Sequence, residues 1–521
     1  MTFHSILFPR APDRIPDEQL TQPDFFGDLN LDQIVAAMAT GKEEYKLKPF
    51  FYMSLDDLDA ITFRQEIMKD LEVNSLFENI KAFAQSLHTM REHLAWAEKL
   101  TYKLQKERWF LDAVNIYCDA IARLTHDLSL AEVSSRGFRA FREYVTQYAA
   151  SERFTSLVEQ AKKLTADLAA IRYTVLIDGL RVQVDHYHDQ TDYSAEVEAT
   201  FEKFKQHAVE DHTFKFSNTL EMNHVEGEIL ALVARLHPEV FSALETFSIA
   251  KKEYQDPTLV RFDREIQFYI AYLEHIARFK KKGLNFCYPK IVRDCKEVYD
   301  YAGFDLALAG KLISERAAEK GAHSGSLGIV CNDFHLKGRE RMIVVSGPNQ
   351  GGKTTFARTF GQLHYLAALG CPVPGTRAQL FLFDQLFTHF EKEEDINNLR
   401  GKLQDDLIRV HQIIESATRN SIVILNEIFT STTVQDALLL SKKIAEKLIA
   451  RGLLCVWVTF IDELASLGDQ TVSMVSTVVP ENPALRTYKI LRQRADGLAY
   501  AMAIAEKHRV TYAAIKERIG S

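Results

Sequence analysis

The sequence predicts an α + α/β chain: a long, mostly helical region followed by an α/β domain built on a phosphate-binding loop. Three observations carry this. Through most of residues 31–280, apolar residues recur at three- and four-residue steps, the pattern of helices buried along one face. From about residue 327 the pattern changes to short apolar runs such as Met342-Ile343-Val344-Val345, which read as buried strands. The first of those runs leads into Gly347-Pro348-Asn349-Gln350-Gly351-Gly352-Lys353-Thr354, which fits G-x-x-x-x-G-K-[ST] in the strand-loop-helix setting that motif needs.

The length of 521 residues suits about three domains. With 46% hydrophobic and 26% charged residues, the composition is that of an ordinary globular protein. No run approaches the ~18 apolar residues of a membrane span, so no membrane partner is expected. The first residues, MTFHSILFPRAPDR, lack a basic stretch followed by an apolar core, so no secretory leader is expected. The six cysteines include no C-x-x-C pair and predict reduced thiols in a cytoplasmic protein. Cys287 and Cys295 have the wrong spacing for zinc. A net charge of −8 argues against a surface coated in nucleic acid, while leaving room for a local basic groove.

In chain order, residues 1–30 carry Pro9, Pro12, Pro16 and Pro23 and predict an extended arm with little structure of its own. Helix is expected from about Asp32, then a connector over 41–55 around Pro49, then a helix over 56–71 containing Arg64-Gln65. Ser75 and Glu78 stand in capping-box spacing before the stripe Leu76, Ile80, Phe83, Leu87 and Met90. Helical patterning continues to Tyr148. A long helix follows with Phe154, Val158, Ala161, Leu164, Leu168 and Ile171 on one face. Two β-rich runs flank Asp178-Gly179, a hairpin signal. Val197, Phe201, Phe204 and Ala208 predict a returning helix.

The region joining these arms is acidic, from Asp185 and Asp189 to Glu210 and Asp211, which opposes contact with phosphate. His186-Tyr187-His188-Asp189 lacks the second ligand cluster a metal site needs. Residues 217–280 are again helical, with alternating charge. The small, polar stretch 317–328 marks the boundary of a domain running from 327 to 521.

Within that domain, backbone N–H groups of the glycine loop and the dipole of the following helix would hold phosphate. Lys353 would reach the β/γ-phosphates, and Thr354 would ligate Mg²⁺. A second buried run, 421–425, ends in Asn426-Glu427. The position of Asn426 usually carries Asp, which holds the metal's water shell; Asn can still accept a hydrogen bond there. Glu427 is placed to orient or deprotonate an attacking water. A third run, 453–458, ends in Thr459-Phe460, where a γ-phosphate sensor often sits and where Phe460 has no donor. A charged loop over 393–400 leads into a helix, and residues 429–436 form a hydroxyl-rich loop with a helix cap around Asp436.

At this point the chain resembles the MutS family of DNA mismatch repair ATPases. Residues 347–354 are similar to its GPN-x-GGK-[ST] loop, Val373-Pro374 to its next strand entry, and 383–388 to I-D-x-I-F-T. Ile424-Leu425-Asn426-Glu427 with Thr432 and Asp436 tracks its D-E-x-x-x-G-T-x-x-x-D stretch. Gly497-Leu498-Ala499 and Arg64-Gln65 resemble two further elements. The resemblance implies a helical lever over 31–326 with a shortened clamp arm at about 152–215, then an ABC-type ATPase domain over 327–521. It implies a homodimer, helped by helices over 497–504 and 511–519. ATP and Mg²⁺ would be held by residues 347–355, Thr355 included, with Asn426, and hydrolysed by Glu427.

The departures shape the expectation. No F-x-E wedge precedes the lever, so a dedicated mismatch-reading domain is not expected. Gly401-Lys402-Leu403-Gln404-Asp405-Asp406 replaces the signature S-T-F-x-x-E, with Lys402 offering a charge for the lost hydroxyl. Asn426 and Phe460 replace the usual Asp and His. The expected protein is a MutS-like, DNA-binding ATPase of slow turnover, related to mismatch repair, in which nucleotide closes a dimer and moves the arms. The alternative is an ATP-switched scaffold that binds a protein instead of DNA.

Overall fold

The computed structural model describes residues 3–10, 20–179, 181–189, 222–318, 328–391, 401–495 and 511–519. It divides into two compact units, each assembled from several stretches of chain. The first comprises residues 1–3, 71–133 and 138–263, and the second residues 4–70, 134–137 and 264–521.

The first unit is mostly helical. Helices Asn74–Lys99 and Lys103–Leu130 pack along their length, burying Leu76, Ile80, Phe83, Leu87 and Met90 from one and Leu111, Val114, Ile121 and Leu124 from the other. The expected capping box at Ser75 and Glu78 does not form. The helix starts two residues earlier, at Asn74 with Val73 as cap, so Ser75 lies inside the first turn where a cap residue cannot. A true capping box stands at Asn223 and Glu226, with both reciprocal bonds 2.9 Å long.

Helix Glu152–Ala169 leads to the hairpin of β1 (Tyr173–Asp178) and β2 (Arg181–His186). These strands are antiparallel, Val175 faces Val184, and Gly179 takes the left-handed backbone its turn requires. The returning helix and most of the acidic tip lie outside the described residues. His186 is 5.3 Å from His237 and 6.4 Å from His188, ring to ring. Among the described residues, no group of three His, Cys, Asp or Glu could hold a metal ion.

The second unit is built on sheets. β3 (Phe286–Cys287), β4 (Lys290–Val292), β5 (Val298–Gly303) and β6 (Asn332–Leu336) precede the main strand β7 (Met342–Ser346). Then come β8 (Val373–Pro374), β9 (Arg377–Phe381), β10 (Leu386–Phe390), β11 (Ile422–Asn426), β12 (Leu454–Val458), β13 (Thr471–Val479) and β14 (Asn482–Arg492). The main sheet has the order β10-β11-β12-β7-β13-β14, parallel except for β14. A second sheet, β4-β9-β5-β6, joins strands from both sides of residue 327, and β3 pairs with β8.

Every residue of β7, β11 and β12 is buried, as parallel strands covered on both faces demand. Alternate side chains serve opposite faces. Met342, Val344, Val423, Leu425, Cys455 and Trp457 meet Val410, Ile413, Ala437, Ile444 and Leu448 of helices Lys402–Ser416 and Val434–Arg451. Helix Lys353–Ala368 packs against β11 and β12, with Gly361 closed in between Ile424 and Leu29. This helix is buried almost all round, the mark of a helix with no solvent face.

Its outer cover comes from the N-terminal residues. Phe26 packs edge-on to Tyr365, Gln362 donates to the Leu29 carbonyl at 2.8 Å, and Arg358 donates to the Asp28 carbonyl at 2.9 Å. Residues 3–8 form a buried strap with Ile6 and Leu7 fully enclosed. The Glu265 carboxylate accepts from Ser5 and from the Ile6 amide. Arg64, also fully buried, donates to the Leu7 carbonyl and to the Leu369 carbonyl, each at 3.1 Å. Leu369 is the C-cap of helix Lys353–Ala368, so a cation sits where the helix dipole is negative.

Candidate nucleotide site

The glycine loop leaves the C-terminal end of β7 and enters helix Lys353–Ala368, as the sequence predicts. Its shape depends on two glycines. Gly347 has φ +108, and a Cβ there would meet the Ser476 backbone at 2.8 Å; a Cβ on Gly351 would meet Ser476 Oγ at 2.1 Å. Ser476, in β13, donates to the Gly351 carbonyl at 2.7 Å and fixes the loop from behind. Arg486 of β14 donates to the Asn349 carbonyl at 3.1 Å. Pro348 is buried, whereas Asn349 and Gln350 face solvent, Gln350 with φ +59. Gly352, with φ +90, is the helix N-cap, beside the half-exposed Tyr488.

Lys353 lies in the first turn, 4% exposed. Its ammonium donates to Gly347 O (3.0 Å), Pro348 O (3.3 Å) and Asn349 Oδ1 (3.1 Å), and stands 3.5 Å from Glu427 Oε1. Burial lowers the lysine's pKa, and Glu427 opposes that shift by favouring the charged form. Thr354 Oγ1 donates to Asn426 Oδ1 at 2.9 Å. Thr355 follows, half-buried, in the same turn. The geometry thus brings together Gly347, Gly351, Gly352, Lys353, Thr354, Asn426 and Glu427 at one end of the parallel sheet.

Glu427 stands just past β11 with φ +51, and Phe429 has φ +64. The Glu427 amide donates to Val458 O at 2.9 Å. Thr433 caps helix Val434–Arg451 and bonds Asp436 reciprocally, so the cap lies three residues before Asp436. Phe460 is exposed, beyond β12. Lys402 is ion-paired with Glu391 and carries no contact to the glycine loop among those described. Asp406 is buried, accepting from His389 Nε2 at 2.8 Å and from the Phe429 amide at 3.2 Å. The charged loop 393–400 and the Gly497-Leu498-Ala499 element lie outside the described residues.

Sequence reasoning missed Ser476, Arg486, Tyr488 and His389. The first three sit on strands that reach the loop only through sheet pairing. No local motif marks them.

The residues fit a nucleotide phosphate and its metal. Glycines at 347 and 351 let the loop lie against Ser476 where any Cβ would collide, and a buried ammonium, a hydroxyl and an amide oxygen converge beside them. A buried strand, such a loop and a buried helix in that order are the arrangement a phosphate-binding loop needs.

Residues 343–517 match the family model of MutS domain V. Over 136 residues the chain is 33% identical to the DNA mismatch repair protein MutS of Thermotoga neapolitana, covering 26% of this chain and 17% of that one. The MutS of Thermotoga maritima is 32% identical over the same length. With that of Shouchella clausii the likeness is 22% over 390 residues, covering 68% of this chain and 44% of the relative. The chain is thus similar to MutS proteins, and its residues 343–517 to their domain V. It spans less than half the length of these relatives. No helix among the described residues is long and apolar enough to cross a membrane. All six cysteines are free thiols.

Proposed function

We propose that this chain is a MutS-like ATPase that binds DNA and uses nucleotide to switch between two arrangements of a homodimer. The observation that carries the reading is the convergence of Lys353, the Thr354–Asn426 pair and Glu427 at the mouth of the glycine loop. The loop's N–H groups and Lys353 would hold the phosphates of ATP. Thr354 would ligate Mg²⁺ directly and Asn426 through water, the metal supplying positive charge at the transferred phosphoryl group. Glu427 orients the attacking water. Tyr488 offers a flat face beside Gly352 for a base.

Asn426 supplies a neutral oxygen where a carboxylate would attract the metal more strongly, which supports slow hydrolysis. Closure of the ATPase dimer would move helical arms built from the first unit, including the segment of about 152–215. Residues 31–326 serve as lever and clamp in this reading, and 327–521 as the ABC-type domain. Its setting is the cytoplasm.

ATP turnover by the full chain, measured alone and with duplex, mismatched and branched DNA, tests this. The expectation is slow Mg²⁺-dependent turnover that DNA changes, lost in Lys353→Ala together with ATP binding. DNA affinity should fall steeply as salt rises. Nucleotide binding without any DNA binding at low salt would favour the alternative, an ATP-switched protein scaffold, a reading the net charge of −8 also suits.

A further inference from the structure

Glu427 sits on a short loop whose backbone is held in an unfavourable shape. Left-handed φ at a non-glycine residue costs roughly 1–2 kcal/mol, and the loop contains two such residues, Glu427 and Phe429. Something must hold it there. On one side the Glu427 amide bonds Val458 O. On the other, the Phe429 amide is held by Asp406 Oδ2.

Asp406 is the fifth residue of helix Lys402–Ser416, just past its first turn. Its second oxygen accepts from His389 Nε2. His389 lies on β10, opposite Leu425 of β11 in the parallel register, so the imidazole anchors the carboxylate to the sheet edge beside the loop. His389 Nδ1 is buried without a hydrogen-bond partner. A second link runs parallel to the first: Glu391 accepts from Thr430 Oγ1 at 3.1 Å and pairs with Lys402, the first residue of the same helix.

We infer that Asp406 is a positioning residue for Glu427: by holding the Phe429 amide it fixes the loop over 427–430, and it makes the N-terminal end of helix Lys402–Ser416 the element that sets the carboxylate's place. This rests on the proposed role of Glu427 in hydrolysis. A shift of that helix end would carry Asp406 and Lys402 together, release the strained loop, and move Glu427 relative to Lys353, while the Ser476 and Arg486 bonds that hold the glycine loop stay in place.

The test compares wild type, Asp406→Ala, Asp406→Asn and Glu427→Gln, all in the full chain. Two readouts are taken: ATP turnover with Mg²⁺, and hydrogen exchange of the peptide covering 425–432. For Asp406→Ala, kcat should fall on the order of 10- to 100-fold, the scale of a misplaced catalytic group, while KM and the affinity for a non-hydrolysable ATP analogue stay at wild-type values. Exchange of that peptide should quicken while the glycine-loop peptide stays protected. Asp406→Asn keeps the volume and one acceptor and should fall between the two; it replaces the alanine variant if that one does not fold. Unchanged kcat, or a rise in KM matching the fall in kcat, overturns the inference. Unchanged exchange over 425–432 overturns it as well. If Glu427→Gln turns over as fast as wild type, the role of Glu427 fails instead, and the exchange result still decides whether Asp406 holds the loop.

Discussion

Replacing Glu427 by Gln tests the pairing on which the site's resting geometry depends. Lys353 is almost fully enclosed, and Glu427 is the one carboxylate the described structure pairs with it, at 3.5 Å. With an effective dielectric of about 20, two unit charges at that distance attract by about 5 kcal/mol. Desolvation of the lysine and the partial exposure of Glu427 offset most of this, leaving a net contribution of about 1–2 kcal/mol. To reach a phosphate, Lys353 must give up that partner. The Gln variant no longer meets this cost, so nucleotide affinity should rise by about 5- to 30-fold, the equivalent of 1–2 kcal/mol. Turnover should be lost.

The nucleotide-free protein should melt lower by the same contribution. Its pH response carries a sign as well. Burial holds the lysine's folded pKa below its ordinary value, so the unfolded chain binds the extra proton and stability rises with pH across that interval. Without Glu427 the lysine's pKa falls further and the interval widens. Calorimetric titration with a non-hydrolysable ATP analogue, beside thermal melts from neutral to alkaline pH, reads all of this. Unchanged affinity together with an unchanged melting temperature would refute the pairing.

Asn426→Asp places a carboxylate against the Thr354 hydroxyl, and should raise Mg²⁺-dependent turnover; an unchanged rate would mean that metal affinity does not limit it. Arg64→Met keeps apolar volume but strips donors from the Leu7 and Leu369 carbonyls; a loss of roughly 2–4 kcal/mol is expected in urea unfolding, from two bonds to a charged donor. Burial, with Asp333 nearby, pushes the Asp300 carboxyl up to about 9 from its ordinary 3.8. Its contribution to stability is therefore fully present below about pH 4 and is lost as pH rises toward 9. Asp300→Asn should accordingly gain on wild type progressively over that range, as chemical unfolding at several pH values would reveal.

The parts of the site written in contiguous residues were legible in the sequence. The glycine loop, the strand ending at Asn426 and the Asp178-Gly179 hairpin each announce themselves through composition within a few residues. What escaped depends on distant pairing. Ser476 supports the loop only because β13 lies beside β7, 125 residues away along the chain. Arg486 and Tyr488 arrive on the antiparallel edge strand. His389 looks like any strand histidine until Asp406 is brought against it. The capping box at Ser75 misled because its spacing is right and its position is two residues too far along. The prolines of residues 1–30 suggested an arm, whereas the apolar Ile6, Leu7, Phe26 and Leu29 among them are fully buried.

The burial of helix Lys353–Ala368 beneath Phe26 and Leu29 has a consequence for how the chain is made. Those two residues leave the ribosome more than three hundred residues before the helix they cover. At roughly 5–20 residues per second, the interval is about 15–60 s. During that time Phe26 has its early neighbour Tyr52, while the helix surface it will cover is not yet synthesised. The packing of Phe26 and Leu29 against helix Lys353–Ala368 therefore forms only after residue 368 is made.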